Sequence, residues 1–456
     1  MSARGYVTDV PYVHSFQPEV APAYLDHVVV LSGFDPPGGR AGFTFCDLGC
    51  GHGITATLLA GTHPDGRFFG IDLMPEHVAQ AKQFSADAQV TNVSFVEADF
   101  ARAATLDLPK FDYIVSHGVY SWVDVSVQRE LLAFVDRFLK PGGVFYVSYN
   151  AMPGRGPDAA FQYLLRALAG AQQGDSIARV KGALPLVQSI GRLKAPALVG
   201  SFTDVDLEQF PAAYLAHEFM NERWRPLFVT DVRADMAGIG LVPAGSATLI
   251  DNFDSFVLGR AARDILAKIE DDNLRELARD YFLDQSFRRD VFIRDGRDLD
   301  DEERRERLLN GTYAVMRPQG QVEFSTATPA GKLDFDNEFT RTIVASMANG
   351  PRRLIDVADS GKNRASLLAN AMVLCAARVL QPVAATPHAV KSLNQAMYRR
   401  SGSGGELRFL AHPHGTAMSL DRRVAKFACA GGPLDESLND WRAVLVAHGI
   451  VGRSEG

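Results

Sequence analysis

From residue 43 onward the apolar positions keep changing period. Short continuous apolar runs alternate with stretches in which apolar residues recur every three or four positions. The run 43–47 predicts a buried strand, and 54–59 opens a helix that Gly61 ends. Residues 67–72 predict a second strand. A helix follows to about Phe84 and starts at Pro75, a residue suited to a first helical position. Strands three and four are 93–97 and 111–116. A helix over 126–139 places Leu131, Leu132, Val135, Phe138 and Leu139 on one side. Residues 140–143, Lys-Pro-Gly-Gly, then turn into strand five, 144–149. Strands one, two and four are apolar on both faces, as in a parallel sheet covered by helices on each side. The prediction is an α/β chain with a doubly wound, Rossmann-like sheet.

Flanking segments read differently. Residues 19–33 carry a helical run with Leu25, Val28, Val29 and Leu31. Residues 155–220 pattern as helices, with Phe161, Leu164, Leu165 and Leu168 marking one of them, and read as an insertion capping the ligand face. Helices at 230–236 and 273–282 and strands at 241–250 and 287–294 return the chain to the sheet. A mixed-charge segment, 297–307, leads to a strand at 321–325. A helix at 337–347 follows, broken by Gly350-Pro351, then a short helix with Leu354, Ile355 and Ala358. A longer helix carries Leu368, Ala371, Met372, Cys375 and Val379, and a strand lies at 382–384. That order suggests a winged-helix-like α+β module. The expected division is 1–154 for the core with an aromatic N-terminal arm, 155–220 for the cap and 221–296 for the rest of the core. Residues 297–400 form the winged-helix-like domain and 401–456 an extension with a flexible Ser-Gly-Ser-Gly-Gly loop and a helix near Trp441.

Composition narrows the classes. A chain of 456 residues predicts two or three domains. A net charge of −7 argues against a general nucleic-acid binder, and Lys362, Arg364 and Arg378 are too thin a basic stripe for DNA. Cys46, Cys50, Cys375 and Cys429 form no C-x-x-C pair, so reduced thiols in a cytoplasm and no zinc site are expected. His412 and His414 read as a loop pair without further ligands, so no metal is expected. No signal peptide or membrane-length apolar run is legible, so no membrane insertion is expected.

The candidate chemistry lies at 47–53, Asp-Leu-Gly-Cys-Gly-His-Gly, between strand and helix. Glycines let a backbone approach a ligand closely, and the following helix N-terminus offers amides to an anion. The spacing excludes two ligand classes. A dinucleotide fingerprint needs a third glycine where Ile54 or Ala56 stands, and a P-loop needs Gly-Lys-Ser/Thr. Polar or aromatic residues also close every strand. Asp72 lies nineteen residues after Gly53, and Glu97-Ala98-Asp99-Phe100 and Ser116-His117 close strands three and four. Tyr149-Asn150 closes strand five. In open α/β sheets these ends form the ligand crevice.

Asp-x-Gly-x-Gly-x-Gly with these strand ends resembles the class I S-adenosylmethionine-dependent methyltransferases over residues 43–150. The resemblance implies that Asp47 and the turn Gly49, Cys50, Gly51 and Gly53 surround the methionine half of S-adenosylmethionine, leaving S-adenosylhomocysteine after transfer. It implies Asp72 at the ribose, Leu73 and Met74 near the adenine, Asp99 at the adenine amino group and Phe100 against the ring. Ser116 and His117 would lie by the methionyl amine and methyl group. Residues 214–219 (Tyr-Leu-Ala-His-Glu-Phe), 287–292 (Phe-Arg-Arg-Asp-Val-Phe) and 117–122 (His-Gly-Val-Tyr-Ser-Trp) resemble bacterial enzymes with a methyltransferase regulatory region. That group includes protein-lysine methyltransferases.

A lysine amine must lose its charge before attack, and an apolar, aromatic pocket favours the neutral form. Tyr12, Phe16, Tyr120, Trp122 and Tyr149 are the candidates to build it, with His117, Tyr120 and Trp122 as catalytic residues. Aromatic faces also attract a methylammonium or sulfonium. The aromatic residues of 1–18 either cover the ligand mouth or pack on the core. No Asn-Pro-Pro-Tyr follows strand four, which counts against a DNA adenine or glutamine-amide methylase. Three readings stand: a protein or peptide N-methyltransferase, a small-molecule N- or O-methyltransferase, and a non-catalytic cofactor-binding regulator. Oligomeric state stays open.

Overall fold

The computed structural model describes residues 16–38, 42–202, 207, 210, 212–357, 363–401, 409–431 and 436–452. The first half builds the sheet. Helix α1 (Pro22–Leu31) precedes β1 (Thr44–Leu48), α2 (Ile54–Thr62), β2 (Arg67–Asp72), α3 (Pro75–Asp87) and β3 (Val93–Glu97). Then come α4 (Phe100–Ala103), β4 (Phe111–Ser116), α5 (Val125–Phe138) and β5 (Leu139–Asn150). α6 (Gly156–Gly170), α7 (Ser176–Arg192) and α8 (Ala212–Met220) form their own apolar cluster around Phe161, Leu165, Val187 and Phe219. α9 (Val229–Ala237), β6 (Leu241–Ser246), α10 (Asp254–Val257), α11 (Arg260–Leu266), α12 (Asp272–Leu283) and β7 (Phe287–Arg294) follow.

Among the described residues, seven strands form one sheet in the order β3-β2-β1-β4-β5-β7-β6. β1 to β5 run parallel, whereas β7 is antiparallel to both β5 and β6. The winding reverses between β1 and β4, where such sheets open their ligand crevice. Because β7 runs backwards, its first residues lie at the carboxyl edge of the other strands, with Phe287 opposite Asn150 and Arg289 opposite Ser148. One face, with Phe45, Tyr113, Tyr146 and Val291, packs on Leu25, Val28 and Val29 of α1. The other, with Cys46, Ile114, Phe145 and Phe292, packs on Leu131, Phe134 and Phe138 of α5.

Several local expectations shift. β6 stops at Ser246 rather than 250, because the Asn252 amide folds back, accepting from Ser246 N and donating to Ser246 O (both 2.8 Å). β5 begins five residues early, at Leu139, and Lys140 pairs with Asp112 at 2.7 Å where the β4–β5 register shifts. α4 is an addition, capped by Asp99.

The C-terminal part is α+β. It holds α13 (Asp301–Asn310), β8 (Thr312–Val315), β9 (Ser325–Thr328), β10 (Gly331–Asp334), α14 (Glu338–Met347), β11 (Arg352–Arg353), α15 (Arg364–Ala376) and β12 (Leu380–Val383). The strand expected at 321–325 is displaced into a β9–β10 hairpin. The central strand of the three-stranded β11-β8-β12 sheet is instead the short run β8, which carries no alternation to announce it. The helix expected near Leu354 is a 3₁₀ turn, Leu354–Asp356. α16 (Lys391–Arg400), β13 (Phe409–His412), β14 (Thr416–Ser419), α17 (Arg422–Ala430) and α18 (Asn439–Ala447) pack against Ile54 and Leu58 of α2. Within the described residues, no helix is long and apolar enough to cross a membrane.

Candidate active site

The turn after β1 is held by its own chemistry. Gly49, Gly51 and Gly53 all have positive φ, at 78°, 52° and 67°. A Cβ on Gly49 would stand 2.5 Å from Val119 Cγ2, and one on Gly53 equally close to Ala81 and Phe95. Packing therefore demands those two glycines. At Gly51 a Cβ would meet nothing within 4 Å, so the turn opens there. The amides of Gly49 and Cys50 both donate to Ile71 O, and that of Gly51 donates to Asp72 Oδ2 at 2.8 Å. Among the described residues no side chain caps α2, so its first-turn amides are left without intrahelical partners.

The acidic strand tips gather beside this turn. Asp72 also accepts from Met74 N at 2.9 Å and meets His77 Nδ1 at 3.2 Å. The His77 ring lies 4.5 Å from that of His52. Ala98 N donates to Asp72 O, which brings the tip of β3 against that of β2. Asp99 stands there and accepts from Arg102 N. Leu73 is 45% exposed at the rim, Met74 precedes α3 in extended backbone, and Phe100 is half-buried. Asp47 is buried at the end of β1. Burial, with the Asp72 charge adding to it, pushes its carboxyl up to about 7.

A second group continues across the same sheet face. The register aligns Asp47, Val115, Tyr146 and Val291 in one row. His117, Ser148 and Arg289 stand one step nearer the carboxyl edge. His117 Nδ1 meets Tyr146 OH at 2.8 Å, the Phe287 ring edges the imidazole at 6.2 Å, and Gly118 N donates to Ser148 Oγ. Burial, and the nearby Arg289 charge, hold the imidazole pKa down at about 3, so this ring is neutral at physiological pH. Ser116, fully buried, donates to Leu48 O at 3.3 Å.

Of the five aromatic residues expected to share a pocket, the four that are described are not brought together. Tyr149 is fully buried on the opposite face from Tyr146, and its hydroxyl donates to Asp290 Oδ2 at 2.6 Å. Tyr120 is also fully buried in the α5-side core and donates to Asp235 Oδ2 at 2.7 Å, so its hydroxyl is committed away from the crevice. Trp122 is half-buried beside Trp224, at 5.9 Å between rings. Phe16 packs on Phe409, 6.0 Å away, and on the core. Tyr12 lies outside the described residues. The Cys50 side chain turns under the turn, because a Cβ on Gly70 would meet its Sγ at 2.9 Å. Only its backbone belongs to the crevice side. His412 is not a loop residue: it ends β13, buried, with Nε2 2.8 Å from His448 Nδ1.

Sequence reasoning missed His77, Tyr146, Phe287 and Arg289 as candidate site residues. The signal for Tyr146 and Ser148 was available in the period-two alternation of β5. Choosing between that face and the face of Tyr149 needed the sheet neighbours.

A family model described as a predicted methyltransferase regulatory domain matches residues 211–294, and a methyltransferase domain model matches 40–178. The chain is 29% identical over 438 residues to the uncharacterized protein sll1526 of Synechocystis, covering 92% of this chain and 86% of that one. It is also 29% identical over 255 residues to trans-aconitate 2-methyltransferase of Streptomyces coelicolor, covering 55% and 67%. The structure of PKMT2 from Rickettsia typhi in complex with AdoHcy superposes with a TM-score of 0.71 at 19% identity, covering 96% of this chain and 91% of that one. The chain is a class I S-adenosylmethionine-dependent methyltransferase with a methyltransferase regulatory domain, and S-adenosylmethionine is its cofactor.

Proposed function

We propose that this enzyme methylates lysine side chains of a protein. The observation that carries the reading is the reach of the likeness to PKMT2, a protein-lysine methyltransferase. It runs through the cap, the regulatory segment and the C-terminal α+β part, not the cofactor sheet alone. Those parts are dispensable for a metabolite but give a polypeptide a surface to lie on.

The residues at hand fit the cofactor. The open side of Gly51 admits a ligand backbone, the buried Asp47 carboxylate suits an ammonium, and Asp72 and Asp99 suit a ribose diol and an adenine amino group. Leu73, Met74 and Phe100 would flank the base, and the turn Gly49–Gly53 with Ser116 would border the methionine end. When bound, the cofactor supplies a methyl group on a sulfonium, displaced in line with a neutral thioether as leaving group.

The protein's part is alignment, which can supply several kcal/mol of the barrier, on the order of 7–11 in the best-oriented cases. His117, held neutral, accepts or donates a hydrogen bond but is a poor store for a proton. With Tyr146 it orients the acceptor nitrogen, and burial around the pair favours the uncharged amine. The ammonium proton leaves to water before the N–C bond forms.

The test is transfer of label from labelled cofactor to candidate proteins, read by peptide mass spectrometry. Methyl groups on lysine are expected, and label found only on small acids or hydroxyls would reject the reading. A second reading, O-methylation of a small carboxylate, draws on the trans-aconitate 2-methyltransferase relative and on the cationic Arg289 at the crevice.

A further inference from the structure

Glu19 stands in the 3₁₀ turn Pro18–Val20 that leads into α1. Its side chain is only 9% exposed, yet Oε2 has no hydrogen-bond partner among the described residues. Oε1 stands 3.9 Å from Arg289 Nε, which also lacks one among the described residues. Charge-assisted N–H···O bonds close at about 2.7–2.9 Å, so carboxylate and guanidinium face each other without bonding. Arg289 is held in this position by Thr248 Oγ1, at 3.2 Å from Nη1, and by the Phe287 ring, 4.9 Å under its guanidinium. A buried carboxylate left this way is costly unless something completes it.

Place and chemistry agree on what does. Arg289 is three strands across from Asp47, roughly 14 Å at the usual strand spacing, and one step nearer the carboxyl edge. Phe287 links it to His117, and His117 to Tyr146. Burial holds the Tyr146 and Tyr24 hydroxyls protonated, and the nearby Glu19 charge acts in the same direction. The unfilled valence is thus an acceptor for a cation, on the cofactor's face and past its methionine end. A lysine ammonium brings three donors on a slim apolar stem.

We propose that Glu19 is the residue that receives the ε-ammonium of the acceptor lysine and guides it toward the His117–Tyr146 pair, with the Arg289 guanidinium facing the carboxylate. The inference rests on the lysine reading above.

The test compares the wild type with Glu19→Gln and Glu19→Asp, using a lysine-containing peptide from a methylated protein as acceptor. KM for the peptide should rise tenfold or more in Glu19→Gln and recover in part in Glu19→Asp. Cofactor affinity by calorimetry should stay within twofold and Tm should not fall. Lysine methylation with a KM insensitive to Glu19→Gln would overturn the Glu19 assignment alone. Transfer to a small carboxylate with no lysine product, with Glu19→Gln lowering that acid's KM, would overturn the lysine reading and the assignment with it.

Discussion

Two arginines, adjacent in β7, face opposite sides of the sheet and meet opposite fates. Arg288 points to the α9–α12 side. Its Nε lies 3.0 Å from Asp290, Nη1 2.5 Å from Asp280 and Nη2 2.7 Å from Glu276, while Tyr149 OH donates to the same Asp290. Glu276 and Asp280 sit four apart on α12, so one helix face delivers both carboxylates. Every guanidinium nitrogen has a carboxylate, and the group is locked. Arg289, on the α1 side, has one hydroxyl, one ring and a carboxylate that stops short. Buried charge that is saturated by its own protein is architecture, here the bolt between the regulatory segment and the sheet. Buried charge left short of partners is where a ligand has something to gain.

The largest break in this contrast should come from Arg288→Met. It strands three acidic groups in low dielectric, and urea unfolding should register a loss of about 3–5 kcal/mol. Arg289→Met should cost no more than about 1 kcal/mol in the same assay. Equal losses would erase the distinction between the two faces. Next in size, Asp72→Ala removes the anchor of Gly51 and, on the cofactor placement proposed above, would remove charge-assisted bonds to the ribose. Cofactor affinity by calorimetry should fall on the order of 100-fold, about 2.7 kcal/mol. Unchanged affinity would remove Asp72 from the ribose.

The third prediction concerns pH. The Asp47 carboxyl sits at about 7, raised by burial first and Asp72 second. On the placement proposed above its ionised form would pair with the cofactor ammonium, so affinity should weaken as pH falls below 7, by up to about tenfold per unit. It should decline again above the α-amino range of about 7.7–8.0. Asp47→Asn should flatten the acid limb, and an unaltered profile would dissociate that carboxylate from binding. The smallest effect is expected of Tyr120→Phe. It loses one hydrogen bond to Asp235, about 1 kcal/mol of stability, with turnover within twofold. Tyr146→Phe, which disconnects His117, should lower kcat while leaving cofactor affinity alone.

Buried histidines give the C-terminal part an acid limit of its own. Burial holds His448 down at about 4, with His414 adding to the effect, and holds its partner His412 well below the ordinary imidazole value. Such groups favour folding while neutral. Their contribution is complete above the unfolded value of about 6.5 and is lost as pH falls toward 4.

The chain's local signals determined half of the site. A fully buried β1, three positive-φ glycines in seven residues and acids at the ends of β2 and β3 are consequences of neighbours in sequence. Backbone period and steric demand write them directly into the residue order. Sequence could not choose the face of a strand buried on both sides, so it points to Tyr149 and passes over Tyr146 on the same strand. It could not align β7 with β5 either, because Ser148 and Arg289 are 141 residues apart and such a contact leaves no trace in any local period. The second half of the crevice, with Glu19, Tyr146, Phe287 and Arg289, exists only once a reversed strand is inserted between β5 and β6. That step is decided by packing across the whole sheet.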